Sequence, residues 1–101
     1  MNLRQWQHAV RSGAYVLEIG GTLEADSEFQ RARLTEAVSM ARLYLCGDTN
    51  SRKIGQNLGL TDERIAQMIR LGIKTLLAEN RLRPAKESAV EGKNAIERPS
   101  Q

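Results

Sequence analysis

Residues 51–70 read SRKIGQNLGLTDERIAQMIR, and two short helices joined by a tight turn account for every position. Ile54, Leu58, Leu60, Ile65 and Met68 are apolar where such helices must pack together. Gly55 is small where the second helix crosses the first. Gly59 falls at the turn, where a positive φ is needed and glycine adopts it freely. Thr61 follows as an N-cap, its hydroxyl placed to accept from an early backbone N–H of the next helix. Asp62 and Glu63 suit the positive end of that helix dipole. This is the spacing of a helix-turn-helix DNA-binding unit. The plain alternative is a helical hairpin inside an all-α core that touches no DNA.

The charge distribution agrees with the first reading. Residues 1–50 carry five basic side chains (Arg4, Arg11, Arg31, Arg33, Arg42) against six acidic ones. Residues 51–83 carry seven (Arg52, Lys53, Arg64, Arg70, Lys74, Arg81, Arg83) against Asp62, Glu63 and Glu79, a surplus of four. A basic stretch that coincides with the motif is the footprint of a phosphate-binding face. Taken without the motif, it is an ordinary solvated helix surface.

Outward from the motif, the chain punctuates into helices. Leu3, Trp6 and Val10 recur at helical spacing, and Ser12-Gly13 ends that first helix at about residue 11. Residues 14–19, AYVLEI, suit either a short strand or a further helical turn before Gly20-Gly21. Asp26 or Ser27 caps a longer helix to about Leu45, with Phe29, Ala32, Ala37, Ala41 and Leu45 as its apolar stripe. Leu34, Val38 and Tyr44 lie alongside, and Gly47 is the expected stop. Asn50 or Ser51 caps the next helix. The last helix runs over 62–81, where Ile65, Met68, Ile69, Ile73, Leu76 and Leu77 repeat at helical spacing. Gly72 within it costs about 1 kcal/mol relative to Ala and permits a close helix contact.

The expected architecture is all-α: a helical bundle containing the helix-turn-helix, with a long recognition helix. Residues 1–83 form the DNA-binding domain. Pro84 ends it, and residues 84–101, with Val90 and Ile96 as their only strongly apolar side chains, read as a disordered tail. No window is apolar enough to cross a bilayer. The N-terminus lacks a signal-peptide apolar run, and the one cysteine, Cys46, fits a reducing cytoplasm.

In a helix-turn-helix the second helix enters the major groove and its first residues touch base edges. The outward positions here are Thr61, Asp62, Glu63, Arg64, Ala66, Gln67 and Arg70. Gln67 can pair bidentately with adenine, Glu63 can accept from the cytosine amino group, and Arg64 can donate to guanine or phosphate. Arg52 and Lys53 open the preceding helix, whose backbone N–H groups favour phosphate, and Lys74 reaches further along the backbone. For each of these charges simple solvation is the bland reading.

The stretch LGLTDERIAQMI (residues 58–69) is similar to the promoter −35-reading region of sigma-70-class sigma factors. That resemblance, over residues 34–77, implies that Glu63, Arg64 and Gln67 lie in the groove. The family usually has Arg where this chain has Asp62, and often Arg at Ala66, which implies a target other than the −35 element. The segment also resembles the KorA/TrfB-type repressors of conjugative plasmids, in the spacing from Ala41-Arg42 to Leu58-Gly59-Leu60-Thr61. Those repressors bind palindromic operators as dimers.

No catalytic or metal set is assembled. His8 and Cys46 are single residues, Gly20-Gly21 lacks the setting of a phosphate cradle, and Trp6 and Phe29 are expected in the core, Trp6 alternatively in a dimer interface. No enzyme or cofactor is expected. The expected function is a dimeric, sequence-specific repressor, of plasmid or phage type, whose two recognition helices lie about 34 Å apart on a palindrome. Its interface would use Trp6 and Val10, or Ile73, Leu76 and Leu77. The alternative is a sigma-like module that binds RNA polymerase or a sigma factor. The DNA-binding half of a toxin–antitoxin pair ranks below both.

Overall fold

The computed structural model describes residues 1–18 and 20–85. Four helices and two short strands follow in the order α1 (Leu3–Arg11), β1 (Tyr15–Leu17), α2 (Glu28–Cys46), α3 (Ser51–Leu58), α4 (Asp62–Ala78) and β2 (Leu82–Pro84). Each helix begins on a side chain that accepts from its first turn. The caps are Asn2 (reciprocated by Gln5), Ser27, Asn50 and Thr61.

The core lies mainly between α2 and α4, the pair with the most extensive packing. Leu45, Ile65, Ile69, Leu76 and Leu82 are its largest fully buried side chains. No charged or polar residue is buried among the described residues. Gly72 sets the crossing. A Cβ there would lie 2.7 Å from the Ala41 Cβ and closer still to the Ala37 carbonyl oxygen. Gly55 does the same for α3, since a Cβ would meet the Leu60 carbonyl oxygen at 2.5 Å. Gly59 ends α3 in the left-handed region at φ 71°. α1 is fastened to the α2–α3 junction by Gln7, whose amide donates to the carbonyls of Tyr44 (2.8 Å) and Thr49 (2.9 Å).

The fold is mostly helical, as expected, with one small two-stranded sheet added to the helices. β1 and β2 pair antiparallel, with Tyr15 opposite Pro84 and Leu17 opposite Leu82. The ladder continues through Glu18 N–H to Arg81 (2.7 Å) and Ala85 N–H to Ala14 (2.9 Å). The fold therefore runs through Ala85 and does not stop at Pro84; the rest of the expected disordered tail lies outside the described residues. The long helix ends at Ala78, three residues early. Asn80 turns left-handed (φ 58°), the Arg81 N–H donates to Leu76, and the Asn80 N–H donates to Leu77. This is a Schellman stop with Asn in place of the usual Gly.

Several apolar expectations are corrected too. Phe29 is 81% exposed and Ala32 is exposed as well, about 120° and about 180° around α2 from the buried Ala41. Leu58 (54% exposed) and Leu60 (41%) do not pack between α3 and α4. The main chain of Leu60, rather than its side chain, lies on Gly55. The residues expected at a dimer interface are largely consumed by the fold. Trp6 meets Tyr15 edge-on at 5.1 Å, Val10 packs on the core, and Ile73 and Leu76 are buried, leaving Leu77 outside.

Candidate nucleic-acid interface

Ile65, Ile69, Ile73 and Leu76 turn one side of α4 into the core, so the opposite side must face outward. At about 100° per residue, Glu63, Gln67, Arg70, Lys74 and Leu77 fall on one outer stripe. All five are exposed. Glu63, Gln67 and Arg70 join Asp62, Ala66 and Ser51 around an open depression of about 490 Å³ between α4 and the start of α3. Ser51 is the lining residue that sequence reasoning missed. Its place beside the Asn50 cap, at the very start of α3, was the available signal.

The other expected residues sit around this stripe. Arg52 and Lys53 are exposed in the first turn of α3. Thr61 is the cap of α4, its hydroxyl accepting from the Arg64 N–H at 3.1 Å. Arg64 itself stands about 100° from Glu63 around the helix, on the flank of the stripe, and does not line the depression.

Electrostatics separates two groups of cations. Arg11, Arg31, Arg81 and Arg83 are paired with Asp48, Glu28, Glu79 and Glu18 respectively. Arg52, Lys53, Arg64, Arg70 and Lys74 form no salt bridge among the described residues, and neither do Arg4, Arg33 and Arg42. The surplus after residue 51 is therefore redistributed. Arg81 and Arg83 brace the chain, and α3 and α4 keep five cations against Asp62 and Glu63. An unpaired cation on a rigid helix loses no internal partner when it meets a phosphate.

The described residues bring no three His, Cys, Asp or Glu side chains together as a metal site, and no described helix is long and apolar enough to cross a membrane. Cys46 is free and exposed at the end of α2. No family model, no curated protein and no solved structure matches the chain.

Proposed function

We propose that this protein is a sequence-specific double-stranded DNA-binding regulator, a dimeric repressor of a bacterial or mobile-element promoter. In this reading α3 and α4 are the helix-turn-helix, and α4 reads the major groove. The observation that carries it is the exposed stripe Glu63, Gln67, Arg70 and Lys74 on a rigid helix, flanked by the unpaired cations Arg52, Lys53 and Arg64. Gln67 and Glu63 supply amide and carboxylate groups for base edges, while the cations supply phosphate contacts. Three or four base-reading side chains give too little specificity alone, which is why two copies on a palindromic operator belong to the reading. Binding across the promoter would block initiation.

Selection from a randomised duplex library at two salt concentrations tests this. An enriched inverted repeat is expected, and Gln67→Ala should cost about 1–3 kcal/mol on it and relax one base position. Binding without any enriched sequence, lost steeply with salt, would refute sequence-specific reading.

A specific observation favours one second reading. Leu58 and Leu60 both expose much of their side chains at the α3–α4 turn, an apolar pair that DNA does not need. In that reading the unit is a sigma-like module docking on RNA polymerase or a sigma factor. Leu58→Ser would then abolish capture of polymerase and leave DNA binding unchanged.

A further inference from the structure

A second cavity, of about 270 Å³, lies where residues 20–23 meet α2. One wall is a stripe of α2: Arg31, Thr35, Ser39 and Arg42, at i, i+4, i+8 and i+11. The other is the main chain at Gly21 and the side chain of Arg81, just past the end of α4. Three arginines and three hydroxyl residues, Thr22, Thr35 and Ser39, thus line one small space beside Leu23 and Val38, with no carboxylate in its lining.

Two of the three arginines are already held in place. Arg81 donates to the carbonyls of Gly20 (2.5 Å) and Thr22 (3.1 Å) and lies against Gly21, where a Cβ would meet its guanidinium at 2.7 Å. Arg31 donates to the Leu23 carbonyl (3.2 Å) and to Glu28 (2.8 Å). Each guanidinium has five N–H donors, so both keep donors to spare. Arg42 forms no hydrogen bond or ion pair among the described residues, and bracing the chain does not account for its presence. Arg31 and Arg81 have carboxylate partners outside the lining, Glu28 and Glu79, which leaves Arg42 as the arginine of the three without a counter-ion among the described residues. Planar forks with adjacent hydroxyls match a tetrahedral oxyanion.

We propose that this cavity binds a phosphate group, as the free ion or as the head of a small phosphomonoester. The volume, at the lower edge of the roughly 300–1,000 Å³ of pockets for larger organic ligands, suits a phosphate group. The site lies at the C-terminal end of α4. The depression at Glu63 and Gln67 lies at the other end, and a 17-residue helix spans about 25 Å. The two sites are therefore separate.

The test uses the full chain, with inorganic phosphate and glycerol phosphate titrated against chloride at matched ionic strength, read by calorimetry and thermal melts. One saturable site and a rise in Tm are expected. Tighter binding of one compound identifies the free ion or the monoester as the natural form. Arg42→Gln should weaken phosphate about tenfold or more without lowering Tm in chloride. Ser39→Asp, which places a carboxylate among the arginines, should raise Tm in chloride and abolish the phosphate effect. Equal responses to phosphate and chloride, or unchanged phosphate affinity in Arg42→Gln, would overturn the proposal. So would a loss of duplex-DNA affinity in Arg42→Gln with no phosphate site, since Arg42 would then be a DNA contact.

Discussion

Gly72→Ala puts two opposing effects on one methyl group. In an isolated helix the change is favourable by about 1 kcal/mol, because glycine is the poorer helix former. In this fold the new Cβ would stand 2.7 Å from the Ala41 Cβ, with the Ala37 carbonyl oxygen nearer still. Optimal carbon–carbon separation is about 3.5–4.0 Å, so α4 must withdraw from α2 by about 1 Å. Neither neighbour can swing aside, because one is a methyl on a helix and the other is main chain. Overpacking of this kind costs about 1–3 kcal/mol, and a rigid obstacle places the cost at the upper end. Set against the propensity gain, the net loss is about 2 kcal/mol, or a fall in Tm of roughly 8–16 °C for a domain of this size. Urea denaturation followed by far-UV circular dichroism should show a lower midpoint with an unchanged slope. A variant as stable as the parent, or more stable, would mean that the α2–α4 crossing is looser than described.

Other outcomes follow from single residues. Asn80→Gly should raise stability by up to about 1 kcal/mol and Asn80→Ala lower it by a similar amount, because position 80 is left-handed at φ 58°; equal melting temperatures for the two variants would contradict this. Burial holds the Tyr44 phenol above its ordinary 10.0, while Arg4 nearby pulls it back. The folded chain then keeps a proton that the unfolded chain releases. Tyr44 contributes this stability in full below pH 10, and it falls as pH rises through the folded value. Tyr44→Phe should flatten that alkaline decline, and an identical decline would count against the assignment. Lys74→Ala should weaken duplex binding evenly across sequences and reduce the salt slope by about 1; a change in sequence preference instead would make Lys74 a base reader.

The helical skeleton was legible because its signals are local. The caps at Ser27, Asn50 and Thr61 and the left-handed turn at Gly59 depend on residues within four positions of one another. The sheet was not legible for the opposite reason. Tyr15, Val16 and Leu17 are good strand formers, but their partners are Leu82, Arg83 and Pro84, and nothing near either segment announces the other. Phe29 and Ala32 failed as core residues because, at about 100° per residue, both fall well around α2 from the face that Ala37, Ala41 and Leu45 set. On the candidate interface, the sequence marked Thr61, Asp62, Glu63, Arg64, Ala66, Gln67 and Arg70 as outward with Gln67 and Arg64 as the leading base readers, and of those two only Gln67 lines the depression. Sequence alone could not foresee that Arg83 is held by Glu18, since that pairing follows from the strand geometry.

The β1–β2 ladder also bears on the order of events in folding. Its partners are separated by almost the whole described chain, so closing it costs more loop entropy than any helix or helix pair in the molecule. Two strands of three residues return little for that cost until α2 and α4 are packed beneath them. The ladder is therefore the last structure to form and the first to open. In hydrogen exchange the amides of Glu18 and Ala85, which extend it at both ends, should exchange well before those of Ile69 and Ile73, so that the two ends of the fold part while its helical centre remains closed.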